Sequence, residues 1–417
     1  MNVTIDPSPD FTPLILSLLD NDFYKITMMR VAFERFPAAQ AKYRFVCRTK
    51  GVDLRPMQVA LREQIDYLAD VSFSGGELSW LRQFSYLSRG FVDGLRTFRL
   101  VADDVSVGER DGQLEVLVEG PWWRTILWEV PILALISELY HQSEGHISPE
   151  IAAEGMRRAE GKLGFLKAQS DQPDRFRVID MGTRRRFSGA WQRQVIANLS
   201  GVLPGVFVGT SNMLLAKNTG LRLYGTMAHE YLSAFQALVH PADSQRVALD
   251  TWMDVYRGDL GVALTDTIGM DAFFRDFDKK LALSFSGCRQ DSGDPHLWGR
   301  RLIDHYKSLG IDAKTKTAVF SDNLDIPKAF ALYADFADEI NLLFGIGTNL
   351  TNDLGTPRLS IVMKLVALND RPVAKISDEP AKAICDDPLH LEYLKHVYGV
   401  TVPPSPGHPL GTPLSFR

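Results

Sequence analysis

The chain has 417 residues, of which 45% are hydrophobic and 23% charged, with a formal net charge of −5. That is ordinary globular composition with ample length for a large core, and the length prior points to two or three domains. The mildly acidic total offers no global field for nucleic acid or a membrane surface, so any basic residues that bind phosphate must act locally.

Cys47, Cys288 and Cys385 are odd in number, far apart and form no CxxC, which argues against a disulfide framework or a zinc site and fits a reducing cytoplasm. The opening MNVTIDPSPD lacks a basic stretch followed by an apolar one, so no signal peptide is expected. No apolar run reaches membrane-spanning length, so no membrane span is expected.

In chain order, LLDNDFYKITMMRVAFERFP reads as a helix, with Asp20 or Asn21 as its cap and Pro37 beyond its end. AKYRFVCRTK alternates as a strand. FRLVADDVSVGERDGQLEVLVEGPW reads as two strands joined at Asp111-Gly112. TILWEVPILALISELYH is an apolar helix started or kinked at Pro131.

From about residue 176 the texture changes. Short apolar runs recur, each ending in small or polar residues: FRVIDMGTRRR, GVFVGTSN, LRLYGTMAHE, GVALTDT, LALSFSGCRQDSGD, TAVFSDNLD, NLLFGIGTNLTND and LSIVMKLV. Helix-like segments separate most of them, the pattern of buried parallel strands. About eight such units predict an irregular α/β barrel, with a doubly wound sheet as the alternative. In either fold the polar residues after the strands share one face. Positions far apart in sequence then converge on one cleft, which is the main residue-level argument for an enzyme.

Each motif has a plain reading beside the functional one. The arginines of GTRRR (Gly182 to Arg186) suit phosphate or carboxylate through forked hydrogen bonds, or form a solvated turn. Ser211 or Asn212 is first of all a helix cap. His229 in GTMAHE stands at a strand-to-helix junction, where histidine acts as base, ligand or phosphate acceptor. Its neighbour Glu230 does not complete an HExxH pair, so zinc is disfavoured. RQDSGD (Arg289 to Asp294) crowds two carboxylates, a serine and a glycine at a strand end. Such acids suit ribose hydroxyls or a hydrated Mg²⁺, while Asp294-Pro295 is also a fair helix start. Asp322 in FSDNLD suits a cap or a ligand equally. In FGIGTNL, Gly345 and Gly347 allow close backbone approach and Thr348 offers a hydroxyl, the chemistry of a phosphate cradle. No Walker A sequence, strand-following GxGxxG or GxSxG elbow occurs.

Taken in order, LLDNDFYKITM, GPWWRTILWEVPILALISE, DMGTRRRFS, FVGTSN, GTMAHE, LTDT, RQDSGDP, FSDNLD, FGIGTNLTND and KLV…PVAKISD resemble the bacterial nicotinate phosphoribosyltransferases from about residue 14 to residue 385. The resemblance implies a type II phosphoribosyltransferase-like irregular α/β barrel with an α+β domain formed by the N- and C-terminal segments. Residues 1–125 would form the N-terminal α+β domain, 126–370 the barrel, and 371–417 a segment packing on the N-terminal domain. It implies a cytoplasmic homodimer with shared active sites. The reaction implied makes nicotinate mononucleotide and pyrophosphate from nicotinate and phosphoribosyl pyrophosphate. ATP hydrolysis through a phosphohistidine drives it, with ATP and Mg²⁺ as cofactors and no nucleic-acid or membrane partner.

The same resemblance carries roles over by position. His229 matches the phosphorylated histidine, Thr226 a nicotinate contact, and Arg289 the residue holding the nicotinate carboxylate. Tyr24 matches a tyrosine that enters the partner subunit's site to stack on the ring. Thr348, beside Gly347, matches a phosphoribosyl-phosphate contact. Arg184 and Asp291 lie in motifs facing the site, and no protein metal ligand is assigned. Two positions depart from the family pattern: Met181 stands where phenylalanine is usual, and Ala381 where glycine is frequent. Methionine there exchanges a π face for a polarizable contact. Sister enzymes of nicotinamide or quinolinate, and a non-catalytic sensor, are the competing readings. Arg289 favours an acid with one carboxylate; His229, Asp291 and the glycine loop speak against a sensor.

Overall fold

The computed structural model describes residues 11–169, 175–378 and 385–400. Two sheets organise them. The first is antiparallel and holds β1 (Gln40–Cys47), β2 (Val105–Arg110) and β3 (Gln113–Pro121). The second is parallel throughout and holds β4 (Val178–Asp180), β5 (Phe207–Thr210), β6 (Arg222–Leu223), β7 (Val262–Leu264), β8 (Gly287–Gln290), β9 (Thr317–Phe320) and β10 (Asn341–Ile346). β11 (Ile361–Leu368) and β12 (Arg371–Pro372) return to the first sheet. The strand orders are 12-11-1-3-2 and 6-5-4-10-9-8-7.

The second sheet is the expected α/β barrel in curled, open form. Seven strands take part, and among the described residues no ladder joins the outer strands β6 and β7. A side chain reaches across instead: the Thr226 hydroxyl, just past β6, donates to the Val262 carbonyl at 2.9 Å. The eighth apolar run was expected as another barrel strand and is not one. It is β11, antiparallel to β1, with Ala41 opposite Leu368 and Cys47 opposite Ile361. Its alternation of buried and half-buried residues fits a sheet covered mainly on one face.

Local chemistry explains several elements. β2 and β3 are joined by two residues, Asp111 and Gly112, both at positive φ (52° and 73°), with Arg110 paired to Gln113. That is the tight hairpin whose right-handed twist suits the strands, and glycine removes the steric cost at its second position. Asn212 caps the helix Met213–Thr219 by accepting from the Leu215 amide, and Gly220 at φ 72° ends it. Asp294 and Asp325 cap the helices that follow β8 and β9 in the same way.

The first helix, Phe23–Arg35, is capped differently from expectation. Asp22 holds the cap position without a side-chain bond to the helix. Asp20 instead forks onto buried Arg186 at 2.7 and 2.8 Å, and Asn21 Nδ2 donates to the Leu127 carbonyl at 3.0 Å. Asp20 also accepts from Asn212 Nδ2 at 2.7 Å, and Asp22 from the Ser211 hydroxyl at 2.7 Å. Backbone bonds Phe23 N to Ser211 O and Met213 N to Asn21 O complete the seam. The polar run LLDND is thereby spent on fastening the first helix to the C-terminal end of β5.

Candidate active site

Because the seven strands are parallel, their C-terminal ends lie on one side. A cleft of about 670 Å³ opens there. Arg184 reaches it from the turn after β4, His229 from the helix after β6, Arg289 and Asp291 from the end of β8, and Gly347 and Thr348 from the end of β10. The opposite wall belongs to the antiparallel sheet, through Arg48 just past β1 and Lys364 on β11; Lys375 follows β12.

His229 is the first residue of the helix His229–Leu238. Its Nε2 stands 2.8 Å from Asp266 Oδ1 and 3.6 Å from Asp291 Oδ2. The other oxygen of Asp266 is held by Lys375 Nζ at 2.7 Å and by the Ser292 hydroxyl at 2.5 Å. Burial pulls the His229 imidazole below its ordinary value and Lys375 adds to this, against the pull of Asp266. Burial alone would raise Asp266, but His229 and Lys375 outweigh it and hold the carboxyl well below the ordinary carboxylate range. The pair is thus a neutral imidazole beside a fixed carboxylate. Nε2–H donates to Asp266, which leaves the lone pair on Nδ1.

Arg289 donates to Asp291 Oδ1 at 3.2 Å, to the Ser321 hydroxyl at 3.2 Å and to the Met227 carbonyl at 3.3 Å. Burial works against ionisation of Asp291, but Arg289 and then His229 hold it below the ordinary range. Three weak anchors leave the guanidinium oriented yet free to rebond to an incoming carboxylate.

Across the cleft, Lys375 is anchored on Asp266, whereas Arg48 and Lys364 have no side-chain partner of this kind among the described residues. On the near side, burial and neighbouring Arg184 pull Arg185 down to about 10, where it stays charged. Burial, Arg48 and Lys375 pull Lys364 down to about 7. A lysine disfavoured this way gains its charge when an anion enters, which suits the wall to phosphate.

Asp266 and Asp291, with His229, bring one ligand atom each within 4.8 Å of the others. The carboxylate oxygens suit a hard cation such as Mg²⁺; the imidazole does not.

Tyr24 and Thr226 are absent from the lining of the cleft. Tyr24 lies one layer behind, its ring 5.9 Å from the Arg184 guanidinium and its hydroxyl buried without a partner among the described residues. Thr226 gives its hydroxyl proton to Val262, and its own carbonyl accepts from the Thr27 hydroxyl at 2.6 Å. Gly347 and Gly345 do permit close approach, but by the chain itself. A side chain at Gly345 would run into Met181 Sδ at 2.4 Å, and one at Gly347 would meet the Met181 carbonyl at 3.1 Å. Met181 thus fills the gap between the two glycines while lining the cleft. Asp322 also lines it, and Asp325 serves as the cap. Ala381 lies outside the described residues.

Sequence reasoning missed Asp266, Lys375, Arg48 and Lys364. Asp266 and Lys375 stood within the noted motifs LTDT and PVAKISD, but only the fold brings both to His229. Arg48 and Lys364 carried no local signal, since a charged residue at a strand end or on an alternating strand is ordinary.

The half-barrel and its cleft, with a neutral histidine, an oriented arginine and a cationic wall, define an α/β enzyme for small anionic substrates. Comparisons with known proteins agree in detail. The N-terminal domain model of the nicotinate phosphoribosyltransferase family matches residues 19–137, and the model of the family itself matches residues 176–402. The nicotinate phosphoribosyltransferase of Bordetella pertussis is 46% identical over 388 residues, 92% of this chain and 95% of that one. That of Cupriavidus necator is 47% identical over 391 residues, 93% and 99% of the two chains. Among solved structures, the Vibrio cholerae enzyme of the same name superposes with a TM-score of 0.90 at 39% identity, covering 95% and 96% of the chains. The Porphyromonas gingivalis enzyme follows at 0.87 and 33%, covering 93% and 100%. The chain belongs to the nicotinate phosphoribosyltransferase family.

Proposed function

We propose that this enzyme makes nicotinate mononucleotide and pyrophosphate from nicotinate and phosphoribosyl pyrophosphate, coupled to ATP through phosphorylation of His229. One observation carries the reading above the rest. Arg289, Asp291 and His229 meet in a single cleft, with His229 Nε2 3.6 Å from the carboxylate that Arg289 grips at 3.2 Å.

The pyridine nitrogen of nicotinate is already a nucleophile, so the transfer needs position and electrostatics more than a strong base. Arg289 takes the nicotinate carboxylate and fixes the ring. Thr348 and the backbone after Gly347 take the 5′-phosphate. Arg184, Arg185, Arg48 and Lys364 neutralise the charge that develops on departing pyrophosphate as the ribose carbon becomes oxocarbenium-like. Asp266 and Asp291 are the residues that would hold Mg²⁺, which when bound supplies further neutralisation of phosphate charge. His229 Nδ1 attacks the γ-phosphorus of ATP as the bond to the β-phosphate oxygen breaks and ADP leaves, with Asp266 keeping the imidazole tautomer and orientation; water later releases the phosphoryl group as phosphate and restores the neutral imidazole. The phosphohistidine carries roughly −1.5 to −2 charges by analogy with other phosphorylated side chains, and that charge draws the cationic wall toward it. ATP is in this way coupled to the grip on phosphoribosyl pyrophosphate.

A cytoplasmic setting goes with this reading, since Cys47, Cys288 and Cys385 are all free. No helix among the described residues is long and apolar enough to cross a membrane. The test is product formation from nicotinate against nicotinamide, each with and without ATP. Nicotinate should be strongly preferred and ATP should stimulate. Equal use of nicotinamide would overturn the assignment of Arg289, and no pyrophosphate from any pair would overturn the function.

We also propose a homodimer in which Tyr24 closes the neighbouring cleft. The ring sits partly exposed at the start of the first helix, which the LLDND seam holds beside the cleft. Mixed dimers of Tyr24→Ala and His229→Ala subunits, both impaired alone, should regain activity, because one site per mixed dimer keeps both residues. If native mass spectrometry shows mixed dimers and activity stays at the level of the parents, Tyr24 acts within its own chain.

A further inference from the structure

Behind the Arg184 side of the cleft lies a cluster of ionisable groups that the transfer reaction does not use directly. Lys25, on the first helix, is fully buried. Its ammonium contacts Glu129, the first residue of the helix Glu129–Ser143, and stands 2.5 Å from Glu230 Oε2, next to His229. Glu129 Oε1 in turn receives Arg184 Nη1 at 3.4 Å. One lysine therefore ties together three helices, two of which begin at the cleft, and its partner Glu129 orients a cleft arginine. Both glutamates and Arg184 border the cleft.

The second oxygen of Glu230, Oε1, is buried and has no donor among the described residues. An ionised carboxylate would leave that oxygen unsatisfied, which burial makes costly. A proton shared within the pair removes the problem, because the two carboxylates meet on the same Lys25 ammonium and one protonated carboxyl can donate to the other. We propose that Lys25, Glu129 and Glu230 form a positioning triad that shares one proton, holds Arg184 toward anionic substrate, and sets the alkaline limit of substrate binding.

The remaining groups facing the triad are Asp22, the Tyr24 and Tyr43 hydroxyls, and Arg184 itself. Both tyrosines are pushed well above their ordinary range by burial and stay neutral throughout. Burial also raises Asp22, against Arg184. Burial pushes Glu230 up to about 8; Lys25 opposes this and Glu129 reinforces it. Loss of the proton sets two negative charges against one Lys25 ammonium and leaves Glu129 to draw more strongly on Arg184, which weakens the grip on an anion.

The proposal rests on the phosphoribosyl-transfer reading only for what Arg184 binds, so the experiment has two arms. In the first, KM for nicotinate and for phosphoribosyl pyrophosphate is followed against pH in wild type, Glu230→Gln and Lys25→Met. Above pH 8, wild-type KM for the substrate at Arg184 should rise about fivefold to tenfold per pH unit. Glu230→Gln, which keeps an oxygen for Lys25 and cannot ionise, should lose that limb. Lys25→Met should show raised KM already at neutral pH. Lys364, titrating on the opposite wall, is unchanged in all three proteins, so their differences isolate the triad. A merely structural role would lower Tm and leave the pH limb in place. In the second arm, infrared spectra of the full-length wild-type enzyme should show a protonated carboxyl stretch that disappears as pH passes 8. This arm needs no activity and does not depend on a variant folding. Retention of the wild-type limb in folded Glu230→Gln, or absence of the protonated band in wild type at neutral pH, overturns the triad. Presence of the band with no pH effect on either KM leaves the shared proton standing and overturns its link to substrate.

Discussion

Replacing His229 with alanine is expected to abolish ATPase activity and leave weak, ATP-independent synthesis. The imidazole offers a neutral nucleophilic nitrogen with a carboxylate behind it, Asp266 at 2.8 Å. In the proposed mechanism, transfer from phosphoribosyl pyrophosphate uses Arg289, Asp291 and the cationic wall, which the substitution leaves in place. Acid-labile label from γ-labelled ATP should appear on wild type only, and equal labelling of the variant would rule out His229 as the acceptor. The pH dependence has a defined sign. The imidazole is lowered from its ordinary 6.5 by burial and by Lys375. It therefore stays neutral to lower pH than a free histidine, and phosphorylation should persist on the acid side of 6.5. Asp266→Asn should shift the labelling profile, since the charge that orients Nε2–H is lost while the shape is kept.

Arg289→Ala is expected to raise KM for nicotinate far more than KM for phosphoribosyl pyrophosphate. Loss of one partner of a buried, hydrogen-bonded charge contact costs about 2–5 kcal/mol, and the lower figure already corresponds to about thirtyfold. The guanidinium spans Asp291, Ser321 and the Met227 carbonyl, so its removal also frees Asp291. Arg289→Lys separates the two effects. It keeps a positive charge beside Asp291 but loses the planar fork, so nicotinate affinity should stay poor while Asp291 stays ionised. Equal losses for both substrates in either variant would assign Arg289 a role in holding the loop.

Where local chemistry decides a feature, the sequence reveals it. Asp111-Gly112 announces its hairpin because few other pairs adopt two successive positive φ angles. Asn212 announces its helix start because its side chain can replace the missing backbone acceptor. The strand-end motifs of the half-barrel were legible for a similar reason: each couples a buried apolar run to polar residues that must face outward at one end. Partner choice is different. LSIVMKLV has the same apolar texture as a barrel strand, and nothing within eight residues says that β1, more than three hundred positions earlier, is its neighbour. The same limit hid Arg48 and Lys364, which matter only because that pairing brings them over the cleft. Asp20 and Asn21 looked like caps because short polar side chains before a helix usually are; a buried arginine and a distant carbonyl outbid the helix for them. The glycines of FGIGT were read for ligand approach; Gly347 does line the cleft, while the space over Gly345 is taken by Met181, a tertiary contact with no sequence signature.

The pairing of β1 with β11 also has a consequence during synthesis. When a growing chain has released the half-barrel but not residues 361–368, β1 has β3 on one side and an open row of backbone donors and acceptors on the other. The half-barrel can already present His229 and Arg289, yet the wall that carries Lys364 does not exist, and Lys375 has not reached Asp266. Substrate phosphate then meets Arg184, Arg185 and Arg48 but lacks Lys364, and Asp266 behind His229 lacks its Lys375 partner. The cleft gains its second wall only once β11 is made, and until then an unpaired edge in the first sheet invites wrong partners. Chains cut short before β11 are therefore expected to lack the wall that carries Lys364 and to be prone to aggregate.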